Sequence, residues 1–492
     1  MQRRTIMTHS RITKTVFQIS ARKKSKTAML VTSIGLLLGV SLLPGKVSAD
    51  ESDLTYIEEF GKRLFFENIS DPKRQSCASC HHPGAGGTNG VSGVNLKQVA
   101  VTGANPHTVG ALKPPTNKYV QFITEDGEVQ GLPNFNNTCG RFPTGICGGA
   151  FWNGRAKGDS TLDMNLFMDD HYAELYSKYR GPVTDQAHAS PFINPVEQGH
   201  KNKVAVCQQI AKTKWGAELY DYTWGLKLSC NEKTIDEVFA RFAVSLGAWQ
   251  MSYENNPYDS KRDLALKSDK DGKFPLDSFT DEENLGHDLF YGVAENRDDL
   301  GFGQGRCGFC HRSGNRSGTS EHERYTDDSY HNIGTPRNYE IPGSPEADDG
   351  LHATTLGTDM ENPLHMGSHK TPTLRNTDLR LGKGFTKAYG HNGYFKSLKS
   401  IVHFYNTAIA KDRCEDLGIM EATEKEALAN NCWPTPEHED TSALGFIGDL
   451  KLTDKDEDAI VAYLMTLSDT SIVKQPKPYK SQKYDESRLS RD

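Results

Sequence analysis

The sequence predicts a mainly α-helical fold, arranged as two related units with extensive loops. Three observations predict it. Apolar residues recur at helical spacing, while few stretches alternate apolar and polar residues as a half-buried strand would. Forty-five glycines and 22 prolines break the 492 residues into short elements. One five-residue pattern occurs twice, each copy preceded by a similar helical stretch. A chain this long holds two or three domains. Its modest apolar content, 36%, suits a loop-rich protein in which a large apolar guest completes each core.

Residues 1–49 read as an export signal. Arg3, Arg4, Arg11, Lys14, Arg22, Lys23, Lys24 and Lys26 lead an apolar run over Ala28–Leu43, short for a spanning helix. Val47-Ser48-Ala49 is a small-residue cleavage site that leaves Asp50 first; an uncleaved anchor is the alternative. The first unit is 50–255. Leu54, Ile57, Phe60, Gly61, Leu64 and Phe65 predict a helix over 50–70, and residues 83–115 are loops. Ile235, Val238, Phe239, Phe242, Leu246 and Trp249 form the apolar stripe of a helix over Thr234–Met251. Polar residues 256–280 read as a linker. The second unit is 281–470. Thr280 caps a helix with Glu283 in the capping-box position, and Gly286-His-Asp-Leu289-Phe290 echoes Gly61-Lys-Arg-Leu64-Phe65. Residues 312–370 are mostly loop. Helices follow at 398–406 and 454–468, the latter capped by Thr453. Residues 471–492 are a polar tail, disordered or draped over the surface.

The repeated pattern is Cys77-Ala-Ser-Cys80-His81 and Cys307-Gly-Phe-Cys310-His311. C-x-x-C-H is the attachment signature of a c-type haem. Two thiols one helical turn apart form thioethers to the porphyrin, and the adjacent imidazole becomes the iron's proximal ligand. A zinc knuckle, a redox dithiol or disulfides are the alternatives. Duplication in an exported chain with no matching C-x-x-C partners points to two covalent haems. The other six cysteines fall into the local pairs Cys139–Cys147, Cys207–Cys230 and Cys414–Cys432, and export favours disulfides. Cleavage after residue 49 removes nine basic residues and takes the formal charge from −7 to −16. Such a surface attracts a basic partner such as a small cytochrome c, or simply keeps the protein soluble.

Several ordered blocks resemble the bacterial di-haem cytochrome c peroxidases and their MauG branch. They are Phe151-Trp152-Asn153-Gly154-Arg155-Ala156; Asp185-Gln186-Ala187 with Pro191 and Asn194-Pro195-Val196-Glu197; Lys370-Thr371-Pro372-Thr373-Leu374-Arg375-Asn376; and Tyr389-Gly-His391-Asn-Gly393 through Val402-His-Phe-Tyr405-Asn406. The resemblance implies two cytochrome-c-like haem domains and an exported, periplasmic enzyme acting on hydrogen peroxide. Electrons would come from a small cytochrome c or cupredoxin; a homodimer is left open and no nucleic acid is involved. It implies that Glu197 moves a proton at the first haem with Gln186 as its neighbour. Trp152 would couple the haems, Arg375 would meet a propionate and His391 would line the second haem. His107 would be a removable ligand of the first iron, and Tyr405, where peroxidases often have Met, the sixth ligand of the second. A calcium ion between the haems is in doubt, because Lys113 and Ala388 stand where the family offers Asn and Pro. The rival readings are MauG-like oxidation of a protein substrate and a plain di-haem electron carrier.

Overall fold

The computed structural model describes residues 54–492, apart from 125, 142, 159–174, 176, 190, 296–302, 344–345, 482, 484–487 and 489–492. The export signal lies outside the described residues. The fold is mainly helical, as expected. The helices used below are α1 (Tyr56–Phe66), α2 (Pro182–Ala189), α3 (Lys203–Ala211), α4 (Gly216–Trp224), α5 (Ile235–Met251), α6 (Lys261–Ser268), α7 (Asp281–Tyr291), α8 (Leu398–Thr407) and α9 (Asp454–Met465). Strands are short. β1 (Gln121–Ile123) pairs antiparallel with β2 (Val129–Gly131), Gln121 opposite Gly131. β3 (Tyr330–His331) pairs antiparallel with β4 (His369–Lys370), Tyr330 opposite Lys370.

Two apolar cores organise the chain. The first gathers α1, α3, α4 and α5, the second α7, α8 and α9. The echoed sequence in α1 and α7 has one physical cause. Each helix starts at a threonine capping box, Thr55 with Glu58 and Thr280 with Glu283, which satisfies exposed backbone N–H groups. Each then crosses a partner helix at a glycine. A methyl group on Gly61 would strike the Ser245 carbonyl of α5, and one on Gly286 the Ala459 carbonyl of α9. Close crossing brings aromatic rings together. Phe65 lies 4.6 Å from Trp249 and Phe290 5.5 Å from Tyr463, between ring centroids.

Residues 256–280 are more structured than a linker. Ser260 and Asp263 form a capping box on α6, and Arg262 and Asp263 are buried. Charge pairing explains why a polar stretch sinks into the protein. The Arg262 Nη2 donates to the carbonyls of Gly318 (2.6 Å) and Ser320 (2.7 Å), while Asp263 takes Arg375. The tail is draped: Val473 joins the first core, and the Arg63 guanidinium covers the Tyr479 ring at 4.9 Å. All three cysteine pairs are disulfides, with Cα separations of 5.6, 5.5 and 5.1 Å in chain order.

Candidate functional site

Each C-x-x-C-H pattern forms a tight turn shortly after a core helix, the first after α1 and the second after α7. The turn closes through hydrogen bonds from the histidine N–H to the first cysteine carbonyl, His81 to Cys77 (3.0 Å) and His311 to Cys307 (2.9 Å). Both imidazoles are held alike. The Nδ1–H of His81 donates to the Gly87 carbonyl and that of His311 to the Tyr325 carbonyl, each at 3.1 Å. This bond orients the ring and leaves Nε2 as the nitrogen that would face a metal. The four motif cysteines form no disulfide, and burial first of all pushes each thiol up to about 12.

Beside the second turn lies a cavity of about 560 Å³, within the range of cofactor pockets. Phe290, Leu374, Val402, Ile460 and Leu464 give it apolar walls, and Cys307, Cys310 and His311 line it. Tyr405 enters from α8. Burial raises its phenol pKa well above the ordinary value, and the charges of Cys310 and Cys307 add to the effect. Among the described residues its hydroxyl has no hydrogen-bond partner.

Glu197 belongs to the first turn's surroundings. Its charge acts on the thiols of both Cys77 and Cys80. The Asn194 side chain shapes its loop, donating from Nδ2 to Glu197 Oε1 at 3.0 Å and accepting the Val196 N–H at 2.9 Å. Burial lifts the Glu197 pKa above its usual 4.5, and Arg155 and the Asn194 bond pull it back only in part. Gln186, on α2, is half-buried against a small cavity that Trp152 also lines. His107 is exposed on its loop.

Trp152 borders both cavities. Its Nε1–H donates to the Lys113 carbonyl at 2.7 Å, and its ring meets those of His369 and His391 edge-on, each at 6.5 Å. These two imidazoles stack at 3.5 Å. Each rests against a carboxylate at 2.8 Å, His369 against Asp348 and His391 against Glu437. Burial, then the neighbouring His391, lowers His369 to about 4. His369, Asp348 and Glu437 were missed from sequence. His369 directly precedes the Lys370-Thr371-Pro372 block, a signal that could have found it.

Arg375 is a correction. It lines the cavity, but its guanidinium is committed to a bidentate pair with Asp263 (2.7 and 2.9 Å) and to the Glu323 carbonyl (2.6 Å). It is an internal clamp beside the second site. One trio among the described residues has metal-ligand spacing: Cys310, Asp327 and His331, with donor atoms within 4.8 Å. His331 and Asp327 already pair at 3.2 Å, and Cys310 belongs to the repeated turn, so a zinc site gains no second cysteine there.

Two oriented imidazoles, each in a turn with two free cysteines beside its own apolar core, are a donor set that fits two c-type haems. Residues 56–271 match the family described as di-haem cytochrome c peroxidase. The chain is 28% identical over 420 residues to the methylamine utilization protein MauG of Paracoccus denitrificans (strain Pd 1222), covering 83% of this chain and 87% of that protein. Two crystal structures share the fold. The di-haem peroxidase BthA from Burkholderia thailandensis E264 aligns with a TM-score of 0.57 at 22% identity, over 86% of this chain and 87% of its own. A MauG-like protein associated with microbial copper homeostasis aligns at 0.51 and 18%, over 88% and 92%. The chain is thus similar to the di-haem cytochrome c peroxidases over residues 56–271 and to MauG over most of its length.

Proposed function

We propose that this protein is a periplasmic di-haem c-type peroxidase that reduces hydrogen peroxide at its first haem. Cys77, Cys80 and His81 hold that haem; Cys307, Cys310 and His311 hold the second. The donor sets fit. Four thiols remain outside the disulfides, both imidazoles are held through Nδ1, and an apolar cavity adjoins the second set. Once bound, the haem irons supply the redox chemistry: two electrons and two protons convert one peroxide to two waters. The side chains do the rest. Glu197 takes the proton from the near peroxide oxygen and returns it to the leaving oxygen, with Gln186 as a hydrogen-bonding neighbour. Trp152, which borders both cavities, lies on the electron route from the second haem. The observation that carries this reading is Glu197, a partly buried carboxylate with a raised pKa whose charge reaches both first-site thiols.

The proton step sets the test. Glu197 must be a carboxylate to accept the proton, so the rate falls as pH drops through a pKa above 4.5. Glu197→Gln should slow the peroxide reaction about 10²–10⁴-fold and abolish that acid limb. Stopped-flow mixing across pH checks both; an unchanged rate or limb removes Glu197 from the mechanism.

Tyr405 supports a second reading, MauG-like oxidation of a protein substrate. Its phenol stands over the second pair of thiols, where an anionic oxygen ligand would favour oxidised iron. The exposure of His107 supports a first haem open to peroxide without prior reduction. Calcium is left out of the proposal. Half-buried Lys113 and buried Lys387 lie within reach of each other's charge beside Thr116 and Ala388, and amines offer calcium none of the oxygen ligands it takes.

A further inference from the structure

Among the described residues, five lysines and arginines line the cavity beside the second turn. Four are committed to protein partners. Asp263 clamps Arg375, Lys370 pairs with Asp328 at 3.1 Å, and Arg306 Nη1 donates to the Phe446 carbonyl at 3.0 Å. The buried Lys387 Nζ donates to the carbonyls of Asn376 (2.7 Å) and Leu379 (3.2 Å). Lys113 is the fifth. Among the described residues its ammonium has no hydrogen-bond or ion-pair partner. Its main chain, by contrast, is pinned on both sides. The Lys113 N–H donates to the His391 carbonyl at 2.7 Å, and the Lys113 carbonyl accepts the Trp152 Nε1–H at 2.7 Å. Two residues of the cavity wall therefore fix the lysine in place and leave its charge unmatched. That charge acts on Lys387 and on His81 of the first turn, so the ammonium is within reach of both sites.

An unmatched ammonium, half-buried against apolar walls, is unfavourable. A c-type haem brings the complementary group, because its propionate carboxylates are unfavourable in the same surroundings unless paired and hydrogen-bonded. We propose that Lys113 holds a propionate of the second haem. The ammonium donates to a carboxylate oxygen, a charge-assisted hydrogen bond in which no proton is transferred. Lys113 thereby supplies the anion partner that Arg375, committed to Asp263, does not. The contact also acts on the iron. A cation fixed beside a haem favours the reduced state, which carries less positive charge, so Lys113 raises the second haem's potential. The inference rests on Cys307, Cys310 and His311 as the attachment of that haem; peroxide plays no part in it.

The test is a redox titration of the holoprotein without peroxide, followed at the second haem's absorption bands. Lys113→Met should move that haem's reduction equilibrium about tenfold toward the oxidised side, a fall of about 59 mV for one electron. Lys113→Arg keeps the charge and should keep the parent potential. Lys113→Ala should lower the potential as Met does, and propylammonium, which fits the space left, should restore it where sodium at the same ionic strength does not. An unmoved potential in Lys113→Met, or an equal fall in Lys113→Arg, would overturn the proposal. Where Lys113→Met fails to retain haem, the Ala variant decides: restoration by propylammonium supports the contact and its failure refutes it. A free anion on Lys113 is the other source of the same pairing. Exchanging chloride for sulfate at constant ionic strength separates the two, because a parent potential that follows chloride would overturn the propionate contact. Peroxide turnover is measured separately. Its absence would refute the peroxidase reading and leave the Lys113 result standing.

Discussion

Lys113 and Lys387 carry a residue-scale prediction. Burial lowers Lys113 to about 8, and burial with the Lys113 charge takes Lys387 well below its ordinary value. Neither amine offers the oxygen ligand a calcium ion takes, so a strong chelator should leave the haem spectra and the peroxide reaction unchanged. Loss of either on chelation would restore the calcium site. Tyr405 carries another. Tyr405→Phe removes the only oxygen the residue offers the second site, and the second haem's absorption and electron-spin spectra should change while the first haem's do not. The two repeated turns were legible because the cysteines and histidine that form each one are neighbours in sequence. Arg375 was misread for the opposite reason. Its partner Asp263 lies 112 residues earlier, in a polar stretch that composition alone marks as a linker. Long-range charge pairing of that kind leaves no local pattern.

The two glycine crossings are the element-scale device. Gly61 and Gly286 let α1 and α7 approach carbonyls of α5 and α9 where a side chain would collide. Gly286→Ala should therefore cost about 1–3 kcal/mol, the usual penalty of an overpacked core, read as a lower denaturation midpoint. An unchanged midpoint would mean the helices part without penalty. Disulfides work on a different element. Cys414–Cys432 closes a separation of 18 residues, and its removal should cost about 3 kcal/mol through the freed unfolded chain. The long capped helices α1, α5, α7 and α9 were legible from caps and apolar stripes. α2, α3 and α4 were not, because they are eight or nine residues long, and tertiary packing rather than local periodicity holds helices of that length.

At the scale of the molecule, two helical cores each present a turn that can carry a haem, and Trp152 borders both cavities. Composition anticipated this arrangement only in outline. Modest apolar content and many glycines indicated cores completed by a guest. The peroxide reaction tests the account most directly. Fully oxidised holoprotein is mixed with one equivalent of hydrogen peroxide while its visible and near-infrared spectra are followed. The account predicts a rapid spectral change without prior reduction, because His107 is exposed on its loop. No change in the oxidised protein, and none after one-electron reduction, would contradict it and leave an electron carrier as the function.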